Sequence, residues 1–359
     1  MKGMKKVIAL LLIATLVFTF AACGGQNGGG GEEENTEPEF TFTFACEDAA
    51  TAASTEVWNA FIDRVSELSE GRIKIEPYYG GVLGSSGEQL NMCEEGAVDL
   101  THVGIGHYAG RFPCTEVFTI PGLKYESAWQ VGKALEYLYS NSKLGYISDE
   151  IKNVKVLGFR SNNRCPLSHV GAPWESADDI KGTLINSSNG PTNAMSEALG
   201  MNIVSIGFPD RYEGIQKGTI QACTSDYLAL ESFSMYDVID SVCDVSIACQ
   251  MGYLVMNWDS FNSLPEDLQE VMIEAAKPMV DEFYKVFKGV ENRAYDLAAE
   301  KNVTIYTPND EVMATIQNAM ELGQKTWIEE RTAGGYDAQG LIDEVQAALD
   351  MFAGQAPEV

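Results

Sequence analysis

The chain has 359 residues, of which 52 are acidic and 24 are lysine or arginine, so its formal net charge at pH 7 is −28. This length is enough for two ordinary domains, each with its own hydrophobic core. The negative charge repels nucleic acid and anionic lipid headgroups, which argues against DNA or RNA as a partner.

The N-terminus has the order of residues that is typical of an export signal. A basic start (residues 1–6) is followed by an apolar run (7–20), two alanines and Cys23. A cysteine directly after two small residues indicates a bacterial lipobox, which would remove residues 1–22 and leave Cys23 as the lipidated N-terminus. The alternative is a transmembrane anchor, although the run is shorter than the ~20 residues that a span needs. In both cases we expect the folded part to be extracytoplasmic and held at the cell membrane.

The segment 23–39 is predicted to be a flexible linker, because it is rich in glycine and then in acidic residues and offers little to bury. Seven cysteines follow it, and none is spaced as C-x-x-C, which disfavours zinc and thioredoxin-like sites. Several lie among apolar residues, so we expect mostly reduced, structural cysteines.

Strand patterns and helix patterns alternate along the rest of the chain. The predicted strands are 40–44, 72–79, 98–103, 154–159, 183–186, 203–206, 219–225, 242–257 and 303–306. The predicted helices are 57–68, 85 to about 96, 127–139, 191–199, 209–217, 263–299, 311–331 and 340–352. Capping boxes at Ser85-x-x-Glu88 and Ser263-x-x-Glu266 open two of these helices, and Pro278 should kink the longest one.

This alternation favours an α/β fold with helices on both faces of its sheets. The apolar stretch 242–257 is long enough to pass from one sheet to another.

Seven segments between Phe40 and Tyr306 carry a family resemblance. They are GRIKI with GGVLG (71–75 and 80–84), EEGAVDL (94–100), IPGL (120–123), VLGF (156–159), ADDIKGTLIN (177–186), ALGMNIVSIGFPDRYEGIQKGTIQA (198–222) and SLPEDLQEVMIEAA (263–276). In this order they resemble the extracytoplasmic solute-binding proteins of tripartite ATP-independent periplasmic (TRAP) transporters, a dicarboxylate-binding-protein-like family. The resemblance implies an α/β, two-domain periplasmic-binding-protein-like fold with crossing strands and a long interdomain helix, which closes on a ligand.

The pattern and the resemblance together predict the domain boundaries. Residues 1–22 form the signal peptide, 23–39 the lipid-anchor linker, 40–162 with about 251–290 domain I, 163–250 with about 291–330 domain II, and 331–359 a C-terminal helical segment.

The resemblance also implies that a small organic acid is bound by an arginine on the strand after the D-x-K-G turn. Asn186 stands at that position here, and an amide cannot replace a bidentate guanidinium at equal strength. Arg164 matches a second family arginine just after VLGF, if one residue of gap is allowed; the alternative is a surface arginine that pairs with a carboxylate. We therefore expect a monocarboxylate or a hydroxylated compound rather than a C4-dicarboxylate.

Six further residues are candidate ligand contacts. They are Glu47, His107, Asn189, Phe208, Ser225 and Asp226. Asn186 and Asn189 lie at the carboxyl end of a predicted strand, where open α/β sheets bind ligands, although Asn189-Gly190 is also a turn signal. Phe208 could equally pack in the core, and the others could be ordinary polar side chains. His102 and His107 are poor metal ligands, because no carboxylate completes the spacing.

No metal site, no cofactor and no catalytic nucleophile–base pair is predicted. We expect a lipid-anchored binding protein, not an enzyme, that captures a small polar organic solute and delivers it to TRAP membrane permease subunits. Two alternatives stay open: a binding protein that reports its ligand to a sensor, and an extracytoplasmic hydrolase on the same scaffold.

Overall fold

A computed structural model describes residues 37–359 except 109, 188–189 and 208–209. The predicted signal peptide, Cys23 and most of the predicted linker lie outside these residues. Residues 37–359 form one compact unit. Within the described part of the chain, no helix combines the length and the apolar character that a membrane span requires.

Nine strands in the described residues form one mixed sheet. They are β1 (Phe40–Ala45), β2 (Ile73–Tyr78), β3 (Leu100–Gly104), β4 (Val154–His169), β5 (Leu184–Asn186), β6 (Asn202–Ile203), β7 (Ala222–Thr224), β8 (Ser241–Asn257) and β9 (Thr304–Tyr306). Their order across the sheet is β2-β1-β3-β8-β4-β7-β5-β6, and β9 pairs with β8.

The two longest strands, β4 and β8, are antiparallel and cross from one half of the sheet to the other. The end of β8 pairs with β3, whereas its start pairs with β9 and the end of β4 pairs with β7. The predicted crossing strand 242–257 is therefore confirmed. The prediction for β4 was too short: polar residues after Phe159 interrupt the apolar pattern, yet pairing with β8 continues to His169.

The register of β4 against β8 shifts in the middle of the crossing. Ser161 pairs with Met251 and Arg164 pairs with Cys249, so that β4 carries one residue more than β8 in this interval. Such a bulge bends a strand and redirects its side chains.

Thirteen α-helices in the described residues surround the sheet. They are α1 (Ser54–Leu68), α2 (Ser86–Glu94), α3 (Ala128–Asn141), α4 (Tyr146–Asp149), α5 (Ala177–Ile180), α6 (Gly190–Ala198), α7 (Arg211–Gln216), α8 (Tyr227–Ser232), α9 (Trp258–Asn262), α10 (Glu266–Ala276), α11 (Met279–Glu300), α12 (Asp310–Ala333) and α13 (Ala338–Met351). The short helices α4, α5, α8 and α9 were missed by the sequence analysis, because one or two turns leave little periodic signal.

The predicted long helix 263–299 is two helices, α10 and α11, which are separated at Pro278. The capping box at Ser85 is formed, but the one at Ser263 is not. Instead, Ser263 lies at the end of α9 and donates to the carbonyl oxygen of Ser260 at 2.7 Å. Ser263 therefore caps the end of α9, whereas the sequence pattern placed it at the start of α10.

Helix α11 packs against both halves of the sheet. Its buried Phe283 and Phe287 belong to a hydrophobic core that contains Trp58 of α1 on one side and Tyr227 of α8 on the other. The predicted α/β fold with crossing strands and a long helix is confirmed. All seven cysteines of the described residues are buried and free of disulfide bonds.

Candidate functional site

The first cluster of polar side chains comes from β3, from β4, which β8 separates from β3, and from the segment after β1. Glu47 and Asp48 follow shortly after β1, and His102 lies in β3. Nδ1 of His102 is 2.9 Å from Oε1 of Glu47. Nη1 of Arg160, from β4, donates to Oδ2 of Asp48 at 3.1 Å and lies 3.3 Å from Nε2 of His102. The predicted ligand residue Glu47 thus belongs to a network of four polar side chains.

Asp48 is held in its ionised form by this network. Its Oδ2 also accepts a hydrogen bond from Nε1 of Trp58 at 2.9 Å. Burial alone would raise the pKa of the Asp48 carboxyl, but Arg160, His102 and the bond from Trp58 hold that pKa well below its usual range.

Aromatic rings fix the position of the Arg160 guanidinium, which is 4% exposed. Its central carbon lies 5.8, 5.2 and 5.3 Å from the ring centroids of Trp58, Phe283 and Phe287. These are cation–π distances, so that α1 and α11 both restrain the arginine.

Asn162 connects this first cluster to Asp226 on the other half of the sheet. Its Oδ1 accepts from Nε of Arg160 at 2.9 Å, and its Nδ2 donates to Oδ2 of Asp226 at 2.9 Å. The other carboxylate oxygen of Asp226 accepts from the backbone N–H of Ala229 at 2.8 Å and caps α8. The predicted ligand residue Asp226 is therefore buried and joined to the crossing strand.

A second cluster surrounds Arg211, the first residue of α7. Its Nε donates to Oδ1 of Asn186 at 2.6 Å, and its Nη1 donates to the carbonyl oxygen of Thr224 and to Oγ of Ser225, both at 2.9 Å. Asn186 and Thr224 are the last residues of β5 and β7. A buried guanidinium, 4% exposed, therefore stands at the carboxyl ends of two parallel strands.

The amide of Asn186 is oriented by backbone carbonyls. Its Nδ2 donates to the carbonyl oxygens of Val204 and Ile206 at 2.9 and 3.2 Å. These two bonds fix which side of the amide faces Arg211, so that Oδ1 is the acceptor for the guanidinium. Asn186 is thus a positioning residue for Arg211.

Close packing of α7 on the sheet brings Arg211 to this edge. Gly214 lies one turn after Arg211, and a Cβ atom there would be 2.8 Å from Cδ1 of Ile206 and 3.2 Å from Cγ1 of Ile220. Only a glycine allows the helix to approach so closely.

Burial lowers the pKa of the Arg211 guanidinium, although Cys223, Cys165 and Asp226 act in the opposite direction. The effect of burial is the larger one, so the surroundings oppose the charge of Arg211 more than they favour it.

Arg164 lies on the crossing strand β4, where it is paired with carboxylates. Its guanidinium forms ion pairs with Asp244 of β8 and Glu291 of α11, each at 3.0 Å, and lies 5.9 Å from the ring centroid of Tyr227. These contacts connect the crossing strands to the long helix, and they correspond to the alternative of an arginine paired with carboxylates.

The other predicted residues have mixed outcomes. His107 lies after β3 with Nε2 3.7 Å from Oε1 of Glu47, and partial burial lowers its pKa. Asn189 and Phe208 lie outside the described residues, so their roles stay predictions. In the described part of the chain, no three His, Cys, Asp or Glu side chains are placed so that they could hold a metal ion together.

The sequence analysis did not select Arg160, Asn162 or Arg211. A signal existed for the first two, because they occupy alternate positions directly after VLGF and so share one face of a strand. No comparable signal existed for Arg211, whose reach depends on how closely α7 packs on the sheet.

Comparison with known proteins gives consistent matches over most of the chain. The model of the family "Bacterial extracellular solute-binding protein, family 7" matches residues 45–330. The 2,3-diketo-L-gulonate-binding periplasmic protein of Escherichia coli (strain K12) is 22% identical over 310 residues, which cover 84% of this chain and 91% of that protein.

Two solved structures have the same fold. A TRAP solute-binding protein from a marine metagenome, specific for aromatic acid ligands and in complex with 3-hydroxybenzoate, has a TM-score of 0.80 at 22% identity and covers 88% of this chain and 99% of its own. A TRAP solute-binding protein from Rhodoferax ferrireducens T118, in complex with copurified benzoate, has a TM-score of 0.78 at 21% identity, with 87% and 98% covered. These matches confirm the predicted two-domain binding-protein fold.

Proposed function

Because the chain belongs to the bacterial extracellular solute-binding proteins of family 7, we propose that it captures a small organic acid with one carboxylate and delivers it to TRAP-type membrane permease subunits. Membership in the family confirms the resemblance seen in the sequence. The ligand class, the delivery partner and the membrane anchor are parts of the proposal.

The observation that carries the ligand class is the position of Arg211. Its guanidinium stands beside Asn186, at the strand end where the family resemblance implies an arginine, so that the positive charge missing from position 186 is supplied by α7 instead. Because burial disfavours the charged guanidinium there, a carboxylate ligand would stabilise the site.

Polar groups from both halves of the sheet meet at the crossing strands. Glu47 and Arg160 lie on one side, Ser225 and Arg211 lie on the other, and Asn162 joins the two. A ligand that contacts both sides has all its contacts only when the two halves are closed. Binding therefore favours the closed conformation, which is the hinge mechanism of such proteins.

A single positive group in the second cluster favours one carboxylate over two. The related proteins described above bind benzoate, 3-hydroxybenzoate and 2,3-diketo-L-gulonate, and each of these compounds has one carboxylate. A second carboxylate would approach Asp226 or Glu47, and like charges repel strongly at buried sites.

Calorimetry of residues 24–359 with two sets of acids tests this proposal. Benzoate, 3-hydroxybenzoate and gluconate represent monocarboxylates, and succinate, malate and fumarate represent C4-dicarboxylates. We expect saturable binding within the first set and at least tenfold weaker binding in the second, a difference of about 1.4 kcal/mol or more. Tight binding of a C4-dicarboxylate would overturn the proposed ligand class.

The membrane anchor is proposed from the sequence alone, since Cys23 lies outside the described residues. Its support is the order of basic, apolar and small residues before Cys23. Cys23→Ser should release the protein from the membrane fraction or leave it as uncleaved precursor, whereas Cys46→Ser should not. A mature N-terminus at any residue other than Cys23, mapped by mass spectrometry, would contradict the anchor.

A further inference from the structure

One carboxylate oxygen in the first cluster is buried without a hydrogen-bond partner among the described residues. It is Oε2 of Glu47, whose other oxygen is 2.9 Å from His102. Burying an acceptor on a charged group without a donor is costly, so native structures rarely leave one in this state unless a ligand or water completes it. A donor group on the ligand would complete this oxygen.

His102 contacts Oε1 of Glu47 and not the unpartnered Oε2. The guanidinium of Arg160 can only donate, so Nε2 of His102, 3.3 Å from it, must be the acceptor. Nδ1 of His102 then faces Glu47 and donates to its Oε1.

The other polar neighbours of Glu47 do not reach Oε2 either. Nε2 of His107 lies 3.7 Å from Oε1, and burial lowers the pKa of this ring. Arg160 pairs with Asp48 and directs its Nε to Asn162. Burial alone would raise the pKa of Glu47, but His102 lowers it below the ordinary value, so Glu47 is ionised at neutral pH.

The two clusters thus favour ligand groups of opposite charge. Arg211 on one side is a buried cation that an anion would stabilise, and Glu47 on the other side is an anion with an unpartnered oxygen. A ligand that carries both charges would add no net charge to the site, whereas a simple monocarboxylate would add one negative charge.

We propose that the ligand is a zwitterion whose carboxylate binds at Arg211 and whose ammonium group donates to Oε2 of Glu47. This inference rests on the proposed function and narrows its ligand class from monocarboxylates to those that also bear a cationic amine. A hydroxyl group could donate to the same oxygen, but without the charge assistance that an ammonium group gives to a hydrogen bond with a carboxylate.

Matched series of monocarboxylates test the amine requirement by calorimetry at pH 7.5. One series is 4-(aminomethyl)benzoate, 4-(hydroxymethyl)benzoate and 4-methylbenzoate; the other is 4-aminobutyrate, 4-hydroxybutyrate and pentanoate. In at least one series we expect the ammonium member to bind about tenfold or more tightly than the other two, as a charge-assisted hydrogen bond would give.

Variants assign this preference to one residue. Glu47→Gln keeps the shape of the side chain and should remove most of the preference for the ammonium member, while the affinity for the methyl member changes less than about threefold. Glu76→Gln, which breaks an exposed ion pair with Lys74, should leave the preference intact.

Each outcome decides between the two proposals. Carboxylates that bind without any preference for the ammonium member, or a preference that survives in Glu47→Gln, would overturn the zwitterion and leave the proposed function standing. The zwitterion would also be overturned, and the proposed function would stand, if benzoate, 3-hydroxybenzoate or gluconate binds and neither ammonium compound does. Failure of every carboxylate to bind would overturn both.

Discussion

Asn162 donates from Nδ2 to Oδ2 of Asp226 at 2.9 Å, and at its other end it accepts from Arg160. Asn162 lies in the bulge of β4, at the place where the crossing strands change their register. A side-chain amide offers a donor and an acceptor a short distance apart, so it can join a guanidinium to a carboxylate. The two halves of the candidate site are therefore connected by a single side chain.

Replacing this amide by a carboxylate should destabilise the protein. Asn162→Asp cannot donate to Asp226 and places a second negative charge beside it, so we expect the free energy of unfolding to fall by about 1–3 kcal/mol. Urea unfolding measures this change. Asn202→Asp is the control, because the Nδ2 of Asn202 also donates one hydrogen bond, to the carbonyl oxygen of Gly182, but Asn202 is exposed. Equal losses in the two variants would contradict the role of Asn162.

Arg164 should affect stability rather than ligand affinity. Its partners Asp244 and Glu291 are only 12% and 16% exposed, so Arg164→Ala leaves two nearly buried carboxylates without their cation. We expect the free energy of unfolding to fall by about 1–3 kcal/mol, after allowance for the partial exposure of Arg164 itself.

Arg72→Ala is the control for Arg164→Ala, because Arg72 also bridges two carboxylates, Glu39 and Asp267, but on the exposed surface. Its stability should change little. If Arg164→Ala instead weakens ligand binding and leaves stability unchanged, Arg164 contacts the ligand as the sequence resemblance implied.

Local patterns in the sequence were sufficient to predict most of the fold. The apolar run 242–257 predicted β8 within one residue, because a strand covered on both faces needs apolar side chains at nearly every position. Pro278 correctly marked the break between α10 and α11, since proline removes a helix hydrogen bond.

The candidate site was harder to predict, because its contacts depend on register and packing. The change at Asn186 was visible in the sequence, but the guanidinium that takes its place comes from Arg211, 25 residues later and on another element. Likewise, the pairing of Glu47 with His102 depends on β1 lying beside β3, which no local pattern specifies.

His169 should make stability depend on pH in the neutral range. Its ring stacks on Trp174 at 4.0 Å, and its Nε2 lies 3.0 Å from the hydroxyl of Tyr306. Burial lowers the pKa of His169 below the ordinary value of 6.5, so the unfolded chain takes up a proton at a higher pH than the folded protein does. Stability is therefore full above about pH 6.5 and decreases as the pH falls below it.

Urea unfolding between pH 8 and pH 5 measures this dependence. His169→Phe keeps an aromatic ring against Trp174 but cannot titrate, so its stability should vary less over this range than that of the wild-type protein. An unchanged slope in His169→Phe would contradict the assignment of the pH dependence to His169.

We propose that Arg211 supplies the positive charge that residue 186 lacks. Moving the arginine from position 211 to position 186 tests this. Arg211→Leu alone should weaken binding of the best monocarboxylate by about tenfold or more, because the charge-assisted contact is lost. Asn186→Arg alone should also weaken binding, since two guanidinium groups would compete for Ser225 and the strand ends. In the double variant the new arginine at position 186 replaces the lost charge, and we expect affinity to recover relative to Arg211→Leu.

Calorimetry on variants shown by circular dichroism to be folded gives the coupling energy between the two positions. A double variant that binds no better than Arg211→Leu would show that the two positions do not supply the same charge.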